Sequence, residues 1–139
     1  MTMSMSMPMP ELSRVIHTSV LRVPTPIAEV TSIIRTSRAR NLDFGITGVL
    51  LFDGQHFCQY IEGEPRHVSA LAANIRRDVR HTGFKIIYSD TIGGVRRFSS
   101  WRAGYPTELA PDALSKILYA SNDSMLASLM QLTSSFDLV

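Results

Sequence analysis

Three polar side chains sit where neighbouring residues are apolar, and they are the natural starting points for chemistry. Gln59 lies in the run HFCQYIE (56–62), where alternation places it with Phe57 and Ile61, opposite to Cys58, Tyr60 and Glu62. A primary amide on an apolar face must satisfy two N–H donors and a carbonyl acceptor. It either pairs with nearby backbone or faces a polar ligand. Asn41 precedes Gly45-Ile46-Thr47-Gly48 at the end of a helical segment. It is either a helix C-cap or a second amide able to bond a heterocycle that offers donors and acceptors on one edge. His17 shares the strand parity of Val15, so it faces the same way, as a core histidine or as a ligand contact. Arg76, Arg77, Arg80 and His81 gather at the end of a second helical segment, where they complement the helix dipole or receive a phosphate. Trp101 anchors the edge of the core in the last strand.

Other chemistries lack their residues. The chain contains no GxGxxG, Walker loop, HExxH or nucleophile elbow. Histidines 17, 56, 67 and 81 form no i, i+4 pair, and Cys58 is the only cysteine, so neither a metal site nor a disulfide framework is expected. The chain is therefore read as a binding protein and not an enzyme. Residues 14–102 hold 13 basic and seven acidic side chains, whereas residues 103–139 hold Lys116 against Glu108, Asp112, Asp123 and Asp137. The basic body suggests an anionic partner, either a cofactor phosphate or nucleic acid.

The elements that must position these groups follow from periodicity. A strand is expected at 12–18. A helix is expected from Thr25 as N-cap and Pro26 at the first position to about Arg40, burying Ile27, Val30, Ile33 and Ile34. ITGVLLF (46–52) and HFCQYIE (56–62) are strands joined by an Asp53-Gly54 hairpin. Pro65 opens a second helix with the stripe Val68, Leu71, Ala72, Ile75 and Val79, and Gly83 ends that segment. Strands at 84–90 and about 98–103 follow, then weaker helices near 110–120 and 122–135. The order βαββαββ predicts a ferredoxin-like α+β sandwich, with two helices on one face of the sheet and a C-terminal helical extension. The domain plan is a disordered leader at 1–10, a domain at 11–104, and a helical cap or interaction segment at 105–139. MTMSMSMPMP is not a secretory signal, no apolar run reaches membrane-spanning length, and the cytoplasm is the expected compartment.

Taken in order, Ser37-Arg38, Asn41, GITGVLLF (45–52), FCQYIEG (57–63), RRDVRH (76–81) and RRFSSW (96–101) resemble the BLUF domain, a blue-light sensor that uses flavin. The resemblance covers about residues 12–103. It implies FAD or FMN, bound non-covalently with its isoalloxazine ring between the two helices. Asn41 and Gln59 match the two amides that bond the ring, Asp78, Arg80 and His81 match the D-x-RH segment, and Ile33 and Ile75 join them at the cofactor. In this family a first-strand tyrosine gives an electron and a proton to the excited flavin, the glutamine changes its hydrogen bonding, and absorption moves to the red.

This chain departs at three positions. His17 stands for the tyrosine, Ala103 for the methionine two residues after Trp101, and Arg40 for the first of two asparagines. Imidazole is a far poorer electron donor than phenol, so the photocycle is expected to be altered or lost. Trp101 is then the best remaining donor, since Tyr60 faces the other way. His17, Gln59, Trp101 and Ala103 are the photochemical and signalling set. The expected function is a flavin-binding light sensor acting through protein contacts, as a homo-oligomer with a further protein partner still to be identified. The alternative is a flavin-free interaction module. An RNA-binding role lacks the aromatic strand pair that stacks bases, and an acylphosphatase-type activity is the remaining alternative on this fold.

Overall fold

A computed structural model describes residues 10–106, 114, 117 and 124–139. The elements run β1 (Glu11–Leu21), α1 (Ala28–Asp43), β2 (Thr47–Phe52), β3 (His56–Gly63), α2 (Pro65–Arg77), β4 (His81–Gly93), β5 (Trp101–Pro106), α3 (Met125–Thr133) and β6 (Phe136–Leu138). One mixed sheet orders its strands β4-β1-β3-β2-β5-β6. All neighbours pair antiparallel except β2 and β5, which run parallel. This is the ferredoxin-like α+β arrangement, with a short sixth strand added at one edge.

The sheet is buried on both faces. Against α1, the cluster Val30, Leu50, Phe52, Phe57, Trp101 and Ala103 fills one half of the helical face. Against α2, Val15, Ile61, Val68 and Leu71 fill the other. Ile16, Val49, Leu51, Cys58 and Tyr60 point to the opposite face, where Leu114, Ile117, Met125, Leu129 and Phe136 cover them. Burial from both sides explains why β2 reads as an almost unbroken apolar run. No helix among the described residues is long and apolar enough to cross a membrane.

Several boundaries differ from the sequence reading. α1 begins at Ala28, not Pro26, because the chain turns first: Thr25 N–H donates to the Arg22 carbonyl at 2.7 Å. Ile27 thereby leaves the expected buried stripe and is 63% exposed. α1 continues to Asp43, so Asn41 lies inside the helix and is not its cap. α2 stops at Arg77, which leaves Val79 beyond the helix and exposed. Gly83 does not end that segment. It lies within β4 at φ +67, where Thr18 pairs with Lys85 but Val20 pairs with Thr82. The extra residue is a β-bulge that a glycine accommodates. β5 starts at Trp101, not near Phe98, because the amides of Arg97 and Phe98 go to a carboxylate and not to a strand ladder. The last helix ends at Thr133, and the following residues form β6 on β5. The expected helix near 110–120 lies outside the described residues except Leu114 and Ile117, and the leader lies outside them except Pro10.

Candidate functional site

Strand register assembles the site. Across the sheet, His17 lies opposite Gln59, Gln59 opposite Leu50, and Leu50 opposite Ala103. Trp101 lies two residues before Ala103, level with Gly48. β2 and β3 approach there so closely that a Cβ on Gly48 would sit 1.9 Å from the Tyr60 carbonyl oxygen.

Gln59 bridges two rings. The Trp101 indole Nε1–H donates to Gln59 Oε1 at 2.9 Å, and the Gln59 Nε2 amide group lies 2.7 Å from His17 Nε2. An indole N–H can only donate, so the Gln59 oxygen faces Trp101 and its NH2 faces His17. His17 Nε2 must then accept, which places the imidazole proton on Nδ1. That Nδ1 is buried and has no hydrogen-bond partner. Burial, and secondarily the nearby His81, push the His17 imidazole down to about 3, so it is neutral at ordinary pH.

His17 and Gln59 form the floor of a cavity of about 310 Å³ between α1 and α2, within the range of small-molecule sites. Every residue expected at a cofactor lines it: Ile33, Asn41, Gln59, Ile75, Asp78, Arg80 and His81, with His17 beside them. Trp101 and Ala103 are buried behind this wall, Trp101 reaching the cavity through Gln59. Asn41 is 1% exposed, yet neither its Nδ2 nor its Oδ1 has a partner. Buried polar groups are normally paired, so a donor and an acceptor left open side by side fit a ligand edge that carries both. A flavin's pyrimidine edge, with alternating carbonyls and ring nitrogens, has that character, and Ile33, Leu50, Leu71 and Ile75 supply apolar walls for a planar ring.

At the far side, Arg80 binds Asp78 through both carboxylate oxygens, and its Nη1 lies 3.8 Å from Glu29 on α1. The Arg80 hydrogen bonds hold the Asp78 carboxyl below its usual range. His81 Nε2 bonds the Ile75 carbonyl, while its Nδ1 is buried without a partner. On the opposite face, the Tyr60 hydroxyl donates to Glu62 at 2.8 Å. Burial first, then Glu62, raises that phenol, which does not face the cavity. Burial pushes the Cys58 thiol up to about 12, leaving it an inert apolar residue.

Two contributors lay beyond the sequence reading. Asn74, one helical turn after Leu71, borders the cavity from the exposed rim of α2. Glu62, fully buried, gathers the Tyr60 and Thr47 hydroxyls and the backbone amides of Arg97 and Phe98. It thus ties the RRF segment, which leads into Trp101, to β2 and β3. Its placement with Tyr60 on one strand face was the available signal.

Comparison with known proteins points one way. The family described as sensors of blue-light using FAD, BLUF, matches residues 12–104. A solved structure, "BlrB - a BLUF protein, dark state structure", is 36% identical, covers 91% of this chain and 97% of that one, and superposes with a TM-score of 0.72. The blue light- and temperature-regulated antirepressor BluF of Escherichia coli (strain K12) is 33% identical over 70 residues, which are 50% of this chain and 17% of that protein. The photoactivated adenylate cyclase subunit beta of Euglena longa is 28% identical over 113 residues, 81% of this chain and 12% of that protein. The chain thus spans less than a fifth of either curated relative.

Proposed function

From the premise that this chain belongs to the BLUF family, the sensors of blue-light using FAD, we propose a light sensor with a photocycle altered at the first strand and an output carried by protein contacts. Family members bind FAD or FMN non-covalently, and the cavity between α1 and α2 is the site assigned to it in this chain. The observation that carries the reading is the unpartnered amide of Asn41 on a cavity floored by His17 and Gln59, with Trp101 hydrogen-bonded to Gln59 from behind.

In this reading Asn41 and Gln59 hold the ring edge, and Ile33 and Ile75 close over its faces. Asp78, Arg80 and His81 frame the far side. When bound, the flavin supplies absorption of blue light and an acceptor for an electron and a proton. His17 cannot replace a phenol as their source, because a neutral imidazole is a poor electron donor. Trp101 is the nearest electron-rich ring, joined to the site through Gln59.

Gln59 is also held in place by its partners. Turning its amide over would set NH2 against the donor-only indole and a carbonyl against His17 Nε2. The first contact is lost unless Trp101 moves, and the second needs the His17 proton to shift from Nδ1 to Nε2. A red shift that depends on amide rotation is therefore small or absent. Ala103, next to Gln59 in the sheet row through Leu50, exchanges backbone hydrogen bonds with Val139 at 2.6 and 3.1 Å. Rearrangement at Trp101 would reach the C-terminal strand by this route.

Output through contacts, including self-association, draws on exposed apolar side chains such as Leu42 and Phe44 at the end of α1. By their names, the E. coli relative is an antirepressor and the Euglena longa relative a cyclase subunit. The segment shared with both carries the light-receiving part in this proposal. The test is a yellow purified chain with a flavin absorption band, whose red shift under blue light is weak or missing and grows in His17→Tyr. A chain that stays colourless after reconstitution with FAD would refute the proposal.

A further inference from the structure

We infer that Arg40 makes the cavity selective for the reduced, anionic form of the flavin ring, so that the bound cofactor is held at a raised reduction potential. This rests on the flavin reading of the cavity. Arg40 precedes Asn41 on α1, and its Nε is buried without a hydrogen-bond partner. Its side chain makes no ion pair among the described residues. Arg40 and Asn41 both line the cavity between α1 and α2, and both line a smaller adjoining one of about 110 Å³. Leu71 and Asn74 of α2 line both as well, so the two residues bound the same corner.

The remaining charges at the cavity are matched. Asp78 is the one acidic side chain lining it, and Arg80 already occupies both of its oxygens. Arg40 is the uncompensated cation. Arg40 is half-buried with its Nε shut off from water, and a cation partly removed from water gains from a counter-charge, so the corner favours an anion. A flavin offers two, a phosphate at the end of its ribityl chain and the ring itself once reduced. The open donor and acceptor of Asn41 fit the pyrimidine edge, so the adjacent guanidinium meets the ring and not the phosphate.

The oxidised ring is neutral. Reduction adds two electrons and one proton, which binds N5, and leaves a negative charge shared by N1 and the C2 oxygen. Arg40 therefore has a stronger partner in the reduced state than in the oxidised one. A group that binds one of two states more tightly shifts their equilibrium by that ratio. Since the reduced ring lacks the blue band of the oxidised one, light response would belong to the oxidised fraction, and the chain would report light only under sufficiently oxidising conditions.

The experiment is an anaerobic titration of the flavin-loaded full chain with dithionite beside a reference dye, for the natural chain, Arg40→Gln and Arg40→Lys. Arg40→Gln is expected to weaken reduced-flavin binding relative to oxidised by at least about tenfold, which lowers the midpoint potential by about 30 mV. Arg40→Lys is expected to stay within about threefold of the natural chain, because it keeps the charge. Equal potentials in the natural and glutamine chains would overturn the inference and leave flavin binding intact. Loss of oxidised flavin from Arg40→Gln alone would overturn it too, by making Arg40 a packing partner. A natural chain that takes up no flavin would overturn the flavin reading itself, and this inference with it.

Discussion

Mild acid should destabilise this chain well before its carboxylates protonate, and His17 is the reason. The imidazole is 2% exposed, its Nε2 is engaged by Gln59, and its Nδ1 has no partner. Burial, then His81, lowers it to about 3, whereas in the unfolded chain it titrates near 6.5. Between these values the unfolded state holds the extra proton, so stability falls as pH falls. The limiting slope is about 1.4 kcal/mol per pH unit. From pH 7.5 to 4.5 the loss comes to about 3 kcal/mol, a large share of a typical domain's stability. Asp78 and Asp90 are both held below their usual range, chiefly by Arg80 and Arg14 respectively. Their contributions are present above about pH 4 and fade only below it, so they do not mask the histidine's window. Urea unfolding followed by far-ultraviolet circular dichroism at pH 7.5, 6.0 and 4.5 measures the effect. His17→Gln removes the titration while keeping an acceptor for Gln59. The natural chain should lose about 3 kcal/mol more than this variant over that range. Equal losses in both chains would refute the reasoning.

Three further perturbations separate binding from folding. Asn41→Leu removes an unpartnered buried amide, so the fold should hold or gain slightly, while flavin affinity, read by fluorescence titration, falls about tenfold to a hundredfold. Unchanged affinity would show that Asn41 does not touch the ring. Gly48→Ala would drive a Cβ to within 1.9 Å of the Tyr60 carbonyl oxygen, at a position where φ is +148. The obstructing atoms belong to the β3 backbone and cannot yield, so the loss should exceed about 4 kcal/mol and be visible as a collapsed melting temperature. Glu62→Gln replaces one acceptor oxygen with a donor. The Tyr60 and Thr47 hydroxyls can turn to accept, but the Arg97 and Phe98 amides cannot, so a loss of about 2–3 kcal/mol is expected in the same urea assay.

Local patterns carried much of this architecture. Alternation in HFCQYIE put Gln59 on the helical face and Tyr60 on the other, and both lie there. Pro65 does open α2, and Asp53-Gly54 does join β2 to β3. What stayed hidden depends on partners distant in sequence. Asn41 looked like a possible helix end because Gly45 follows closely, but α1 keeps two more residues and the amide turns inward. Gly83 looked like a terminator because a bulge within a strand resembles a turn in one dimension. β6 is three residues long and exists only because β5 offers it an edge. Glu62 was visible only as sharing a strand face with Tyr60, and its four donors come from three separate stretches of chain.

Absorption spectroscopy of the purified chain, dark and then under blue light, beside His17→Tyr, tests the central claim most directly. The account predicts a flavin band in both proteins, a weak or missing red shift in the natural chain, and a larger reversible one in the tyrosine variant. A full reversible red shift in the natural chain would contradict the role assigned to His17, and a chain without flavin would contradict the site itself.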